Sequence, residues 1–111
     1  MTEQAVSAKD FVATVVIPVA DADRARELID AMAEDVRGWV RHLPGFVSAN
    51  YHISLDGKRV FNYARWETEQ AYLDGFRSDP RSTAMREQIL ALAEGGPEMV
   101  GYQPVRSVTA A

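Results

Sequence analysis

The 111-residue sequence contains no cysteine, which removes disulfides, thiolate nucleophiles and Cys-ligated zinc or iron–sulfur sites at a stroke. Histidine is almost as scarce. His42 and His52 are the only two, they fall on different predicted elements, and no carboxylate–histidine cluster has metal-ligand spacing, so no protein-held metal is expected. No glycine-rich loop joins a strand to a helix, because Gly95-Gly96 follows a helical pattern; a nucleotide cofactor therefore lacks its phosphate cradle. Basic residues do not outnumber acidic ones: 12 Lys and Arg against 16 Asp and Glu leave a net charge of −4, with no basic stripe to meet nucleic-acid phosphates. No apolar run approaches the roughly 18 residues of a membrane span. The opening MTEQAVSAKD has no basic region followed by an apolar run, so a cytoplasmic location is expected, with neither membrane nor nucleic acid as partner.

What is present is the material of a globular domain. Hydrophobic residues make up 47% and charged residues 25% of the chain, and the length fits one domain, residues 1–111, with one core. FVATVVI, Phe11 to Ile17, is rich in β-branched residues and ends at Pro18, which predicts a strand. Asp21 or Asp23 then caps a helix whose apolar residues Ala25, Leu28, Ile29, Met32, Val36, Trp39, Val40 and Leu43 recur at three and four, until Pro44-Gly45 stops it. Phe46 to Leu55 alternates with the strand period before Asp56-Gly57, a hairpin signal, and Arg59 to Trp66 returns. A two-residue turn pairs Leu55 with Lys58, Tyr51 with Asn62, Ala49 with Ala64 and Val47 with Trp66, whereas a three-residue loop shifts every pair by one.

Thr68 is placed to cap a short helix carrying Tyr72 and Phe76. Asp79 as cap and Pro80 at the first helical position open another, with Met85, Ile89 and Leu92 as its stripe and Gly95-Gly96-Pro97 as its end. Met99 to Thr109 reads as a last strand with Pro104 at an edge or bulge and no assignable partner. The order βαββαβ predicts an α+β, ferredoxin-like fold: an antiparallel sheet with helices on one face.

Four residues stand out against that frame. The helix-facing side of the second hairpin strand carries Val60, Asn62, Ala64 and Trp66, so Asn62 is an amide among apolar neighbours, where an unpaired polar group costs about 1–3 kcal/mol. Trp66 brings an indole N–H that also needs an acceptor when buried. Tyr72 places a ring in the core with its hydroxyl at the margin. Arg86 lies between Met85 and Ile89 with no acidic residue three or four positions away. Each has a plain structural alternative: a backbone partner for Asn62, packing for Trp66 and Tyr72, snorkelling to solvent for Arg86. Directed together at one small core, they favour a ligand pocket. Ala49 and Ala64 leave volume beside them, and Tyr51 and Phe76 are further lining candidates. His52 alternates onto the opposite sheet face and enters the lining only through a slipped register.

PGFVSANYHISLDG, then NYARWETEQAY, then DPRS and Arg86-Glu87 resemble the antibiotic biosynthesis monooxygenase family, nearly continuously from Pro44 to Glu87. The Asn-x-x-x-Trp-Glu-x-Glu-Gln-Ala-Tyr run resembles its anthrone-oxidising branch in particular. The resemblance implies a ferredoxin-like homodimer whose sheets form a dimeric α+β barrel, with a pocket inside each subunit. It also implies oxidation of an aromatic polyketide anthrone or phenol to a quinone by O₂ with no cofactor, and Asn62, Trp66, Tyr72 and Arg86 as the catalytic set. A haem-degrading relative of this fold requires an axial histidine, which the helix from Pro80 to Leu92 lacks. A non-catalytic dimer that binds or sequesters an aromatic metabolite uses the same pocket, and a purely structural dimerisation domain is the third alternative.

Overall fold

The computed structural model describes residues 2–5 and 10–111, so residues 1 and 6–9, half of the ten-residue segment read for a targeting signal, lie outside the described residues. Its strands are β1 (Thr2–Ala5), β2 (Phe11–Pro18), β3 (Phe46–Ile53), β4 (Arg59–Trp66), β5 (Glu98–Tyr102) and β6 (Arg106–Thr109). The helices are α1 (Ala22–Gly38), α2 (Glu69–Ala71), which runs on as a π-helical turn over Tyr72–Arg77, and α3 (Pro80–Leu92). The main sheet is antiparallel in the order β3-β4-β2-β5, and β1 pairs with β6 as a separate ribbon. From β2 to β5 this is the α+β, ferredoxin-like arrangement expected from the sequence. Among the described residues no helix is long and apolar enough to cross a membrane.

Local chemistry places the helix starts. Asp21 is the cap of α1, accepting from Arg24 N–H at 2.8 Å; Thr68 Oγ1 accepts from Ala71 N–H at 3.0 Å, and Asp79 from Arg81 N–H at 2.8 Å. The helix expected to run to Pro44 stops earlier. Gly38 is its last α-helical residue, and Val40–His42 tighten into a 3₁₀ turn that still buries Val40. Gly45 then takes φ +84°, and a Cβ there would come within 2.6 Å of the Ala71 Cβ, so the chain crosses α2 only because this residue has no side chain.

The hairpin keeps its expected register by a different loop. Tyr51 pairs with Asn62 and Ala49 with Ala64, but Leu55 and Lys58 form no ladder pair. Ser54 pairs back to Arg59 across four loop residues, with Gly57 at φ +75°, and Leu55 is fully exposed. The predicted pairing of Val47 with Trp66 is corrected: Phe46 faces Trp66, because a bulge at Val47 puts one extra residue into β3. The C-terminal segment forms two strands instead of one. Pro104, which cannot donate to a ladder, sits in the break; β5 pairs with β2, and β6 turns away to β1.

Candidate active site: a cavity between two halves of the core

Strands β2 and β4 bury residues toward the helices in two groups. Val15, Ile17, Val19 and Val60 close with Ala25, Leu28 and Met32 of α1 into one cluster; Trp39, Val40, Trp66, Tyr72 and Met85 form the other. Between them is a cavity of about 370 Å³, bounded by Val15 and Met32 on one side and by Val40, Trp66, Tyr72 and Met85 on the other. A cavity of that volume is at the scale of sites that enclose a small ligand.

Asn62, Trp66, Tyr72 and Arg86 all line it. So do Ala49, Tyr51, Ala64 and Phe76. His52 does not. The unslipped register turns it to the other face of the sheet, where its ring stacks on Tyr63 at 5.7 Å and leans on Phe61 at 5.8 Å. Its inclusion in the lining is therefore corrected by the side-chain alternation of β3.

Two polar atoms of cavity-lining residues have no hydrogen-bond partner among the described residues: Asn62 Oδ1, an acceptor, and Trp66 Nε1, a donor. Both are buried. Leaving such groups unpaired costs about 1–3 kcal/mol each, a cost that a ligand with matching groups removes. The plain alternative weighed for Asn62, a hydrogen bond to backbone or to Tyr51, is not what holds it. Opposite-face Asn50 shows the contrast, since its amide donates to Ser48 Oγ and Tyr63 O.

Aromatic rings fix the geometry around Trp66. Phe46 meets it edge-on at 5.3 Å, Tyr72 edge-on at 5.7 Å, and Tyr72 stacks on Phe76 at 5.8 Å with Phe11 at 5.2 Å on its other side. Phe76 stacks in turn on Trp39 at 5.6 Å. The start of α3, which carries Arg86, is tied to the end of α1 by Arg81, whose guanidinium lies 4.3 Å over the Trp39 ring while it pairs with Asp79 at 2.8 Å. That pairing and the Arg81 N–H hold the Asp79 carboxyl down at about 2. Arg86 itself is exposed, at the rim of the cavity instead of inside it.

Burial pushes the Tyr51 phenol up to about 12, with Arg37 opposing the shift and Asp35 adding to it, so Tyr51 is a neutral wall residue at physiological pH. Among the described residues no three His, Cys, Asp or Glu side chains come together as a metal site. The reading of single residues missed Arg77, Ser82 and Thr83, which also line the cavity. Arg77 had no detectable signal, because helical periodicity of the ordinary kind turns it away from Tyr72.

Known proteins with this architecture share more than the fold. The family model for antibiotic biosynthesis monooxygenase matches residues 11–88. The chain is 40% identical to a monooxygenase from the gene ActVA-Orf6 of Streptomyces coelicolor, whose crystal structure holds nanaomycin D. That match covers 93% of this chain and 94% of the other, with a TM-score of 0.87. Tetracenomycin-F1 monooxygenase of Streptomyces glaucescens is 44% identical over 59 residues, 53% of this chain and 52% of that protein, so the match spans about half the length of that relative. SnoaB, a cofactor-independent oxygenase from Streptomyces nogalater, shares the fold at 20% identity, with a TM-score of 0.72 over 86% of this chain and 93% of its own. The chain belongs to the antibiotic biosynthesis monooxygenase family.

Proposed function

We propose that this protein is a cofactor-independent monooxygenase that oxidises an aromatic polyketide anthrone or phenol to a quinone with O₂. The observation that carries the reading is the pair of buried, unpartnered atoms, Asn62 Oδ1 and Trp66 Nε1, on one wall of a 370 Å³ cavity otherwise built from aromatic and aliphatic side chains. Flat rings fill such a space, and their oxygen substituents satisfy such atoms. The full-length similarity to a monooxygenase crystallised with nanaomycin D and the fold shared with a cofactor-independent oxygenase support the same chemistry.

Dioxygen reacts slowly with closed-shell molecules, but an anthrone that loses a methylene proton becomes an electron-rich enolate. That enolate gives one electron to O₂, and the two radicals combine as a C–O bond. After protonation, the resulting hydroperoxide loses its remaining C–H proton as the O–O bond breaks, which leaves the new carbonyl and water. One oxygen atom enters the product and the other leaves as water; the substrate supplies the electrons.

In this scheme the protein binds the rings, favours the enolate and handles protons. Arg86 and the Asn62 amide stabilise the developing oxyanion, Asn62 Oδ1 takes a substrate hydroxyl, and Trp66 Nε1 donates to a substrate or peroxide oxygen. Tyr72 hydrogen-bonds the substrate and returns a proton as the peroxide loses water. The opposite sheet face, with Phe61 exposed beside the His52 and Tyr63 rings, supports pairing with a second copy into a dimeric barrel, which light scattering tests directly.

The test uses chelator-treated, colourless protein, a model anthrone and air. Quinone formation above the uncatalysed rate, abolished without O₂ and carrying one labelled oxygen from ¹⁸O₂, is the expected result. Tight binding with no acceleration overturns it in favour of a protein that sequesters an aromatic metabolite.

A further inference from the structure

We infer that Arg77 is a specificity residue that binds an anionic substituent of the substrate, a carboxylate or an ionised phenol, where the main cavity meets a smaller neighbour; this rests on the reading of the cavity as an aromatic-substrate site. Three observations carry it. The first is backbone geometry. Ser78 N–H donates to Leu73 O at 3.1 Å, and residues 72–77 form a π-helical turn. In an α-helix, at about 100° per residue, Arg77 would point about 140° away from Tyr72. The i→i+5 closure of a π turn widens the helix and brings the fifth residue round toward the face of the first. Tyr72, Phe76 and Arg77 consequently line the same cavity. The second is position. Arg77 borders both the main cavity and a smaller one of about 170 Å³ that shares Ala13, Thr14, Tyr72 and Met99 with it, so this residue belongs to the wall common to the two.

The third is charge. The lining of the main cavity includes two arginines, Arg77 and Arg86, and no Asp or Glu among the described residues. Every other ion pair in the region is closed locally, as Arg81 is with Asp79, whereas neither Arg77 nor Arg86 pairs with a carboxylate among the described residues. Ser82 and Thr83 add hydroxyls to the same rim. With Arg86 assigned to the developing oxyanion beside Asn62, Arg77 is the unneutralised guanidinium of this lining left for a second anionic group. Glu69 lies on the wall of the smaller cavity only, so the anion belongs at the shared rim and not deeper on that side. The substrate class that follows is a fused-ring phenol with an acidic group where the two cavities meet.

Binding of two redox-inert probes, anthraquinone-2-carboxylate and anthraquinone-2-carboxamide, followed by quenching of tryptophan fluorescence, tests this without requiring turnover. The wild-type protein is expected to prefer the carboxylate by about 3- to 10-fold at low ionic strength, with the preference shrinking as salt is added. R77Q should bring the two affinities toward parity, and R77K should keep part of the difference. Equal binding of both probes by the wild type, or a preference unchanged in R77Q, overturns the inference while leaving the aromatic pocket intact. Failure of the wild type to bind either probe overturns both. Because Arg77 is exposed, the circular dichroism spectrum of R77Q should match that of the wild type.

Discussion

Strand β4 passes through two differently built halves of one core. Around Val60 the helix-facing side is filled: Ile17, Ala25, Leu28 and Val60 have no exposed surface, and the cluster is entirely apolar. Six residues along the same strand, around Trp66, the packing is aromatic, and the space between the halves is left open with Asn62 at its wall. The first half follows the rule of dense apolar packing. The second departs from it at Asn62 and Trp66, lining residues with buried, unpartnered polar atoms, and departures of that kind concentrate where proteins bind ligands. The difference assigns stability to one end of the strand and ligand chemistry to the other.

Breaking the filled half should produce the largest effect. Leu28→Ala removes a completely buried side chain and is expected to cost about 2–5 kcal/mol, read from urea unfolding. Substitution in the open half should act on turnover first. Trp66→Phe keeps an aromatic ring but deletes the unpaired indole donor, and a loss of about 10²-fold in kcat with model anthrone is expected if that donor meets developing charge. An unchanged kcat would reduce Trp66 to packing.

The comparison is sharpest at Asn62. Asn62→Leu keeps the branching at Cγ and replaces an amide with an unsatisfied buried oxygen in an apolar wall, so it should lower turnover yet stabilise the fold by about 1 kcal/mol. For a chain of this length that is a rise of several degrees in Tm, seen by differential scanning calorimetry. A fall in Tm would mean that the amide has a structural partner.

The smallest effect is in pH dependence. The Tyr51 phenol, raised from 10 to about 12 by burial, favours the folded state fully below its unfolded value and loses that contribution as pH climbs from about 10 to 12. Absorbance at 295 nm should show one tyrosinate appearing later than the others, and Tyr51→Phe should flatten the stability profile in that window. Asp79 works in the opposite sense: its carboxyl is lowered to about 2, so its contribution is present above about 4 and lost as pH falls toward 2.

Much of this was legible from one-dimensional pattern. Helix caps at Thr68 and Asp79 are read from side chains that bond their own neighbours. The inward set Val60, Asn62, Ala64 and Trp66 follows from a period of two, and the oddity of Asn62 from its place in that set. The misreadings have a shared cause in geometry set by distant parts of the chain. A bulge at Val47 replaced one cross-strand pair, the end of α1 tightened after Gly38, and the C-terminal segment divided between two partners.

By itself the sequence determined the order of elements from β2 to β5, the helix-facing residues and the unusual polar positions, because these depend on local propensity and periodicity. Tertiary structure alone decided that Asn62 Oδ1 and Trp66 Nε1 go without partners, that a cavity separates the two halves of the core, and that a π turn brings Arg77 to its rim. Hydrogen-bond satisfaction and empty volume depend on every surrounding element at once, and a five-residue helical closure overrides the periodicity from which a single chain is read.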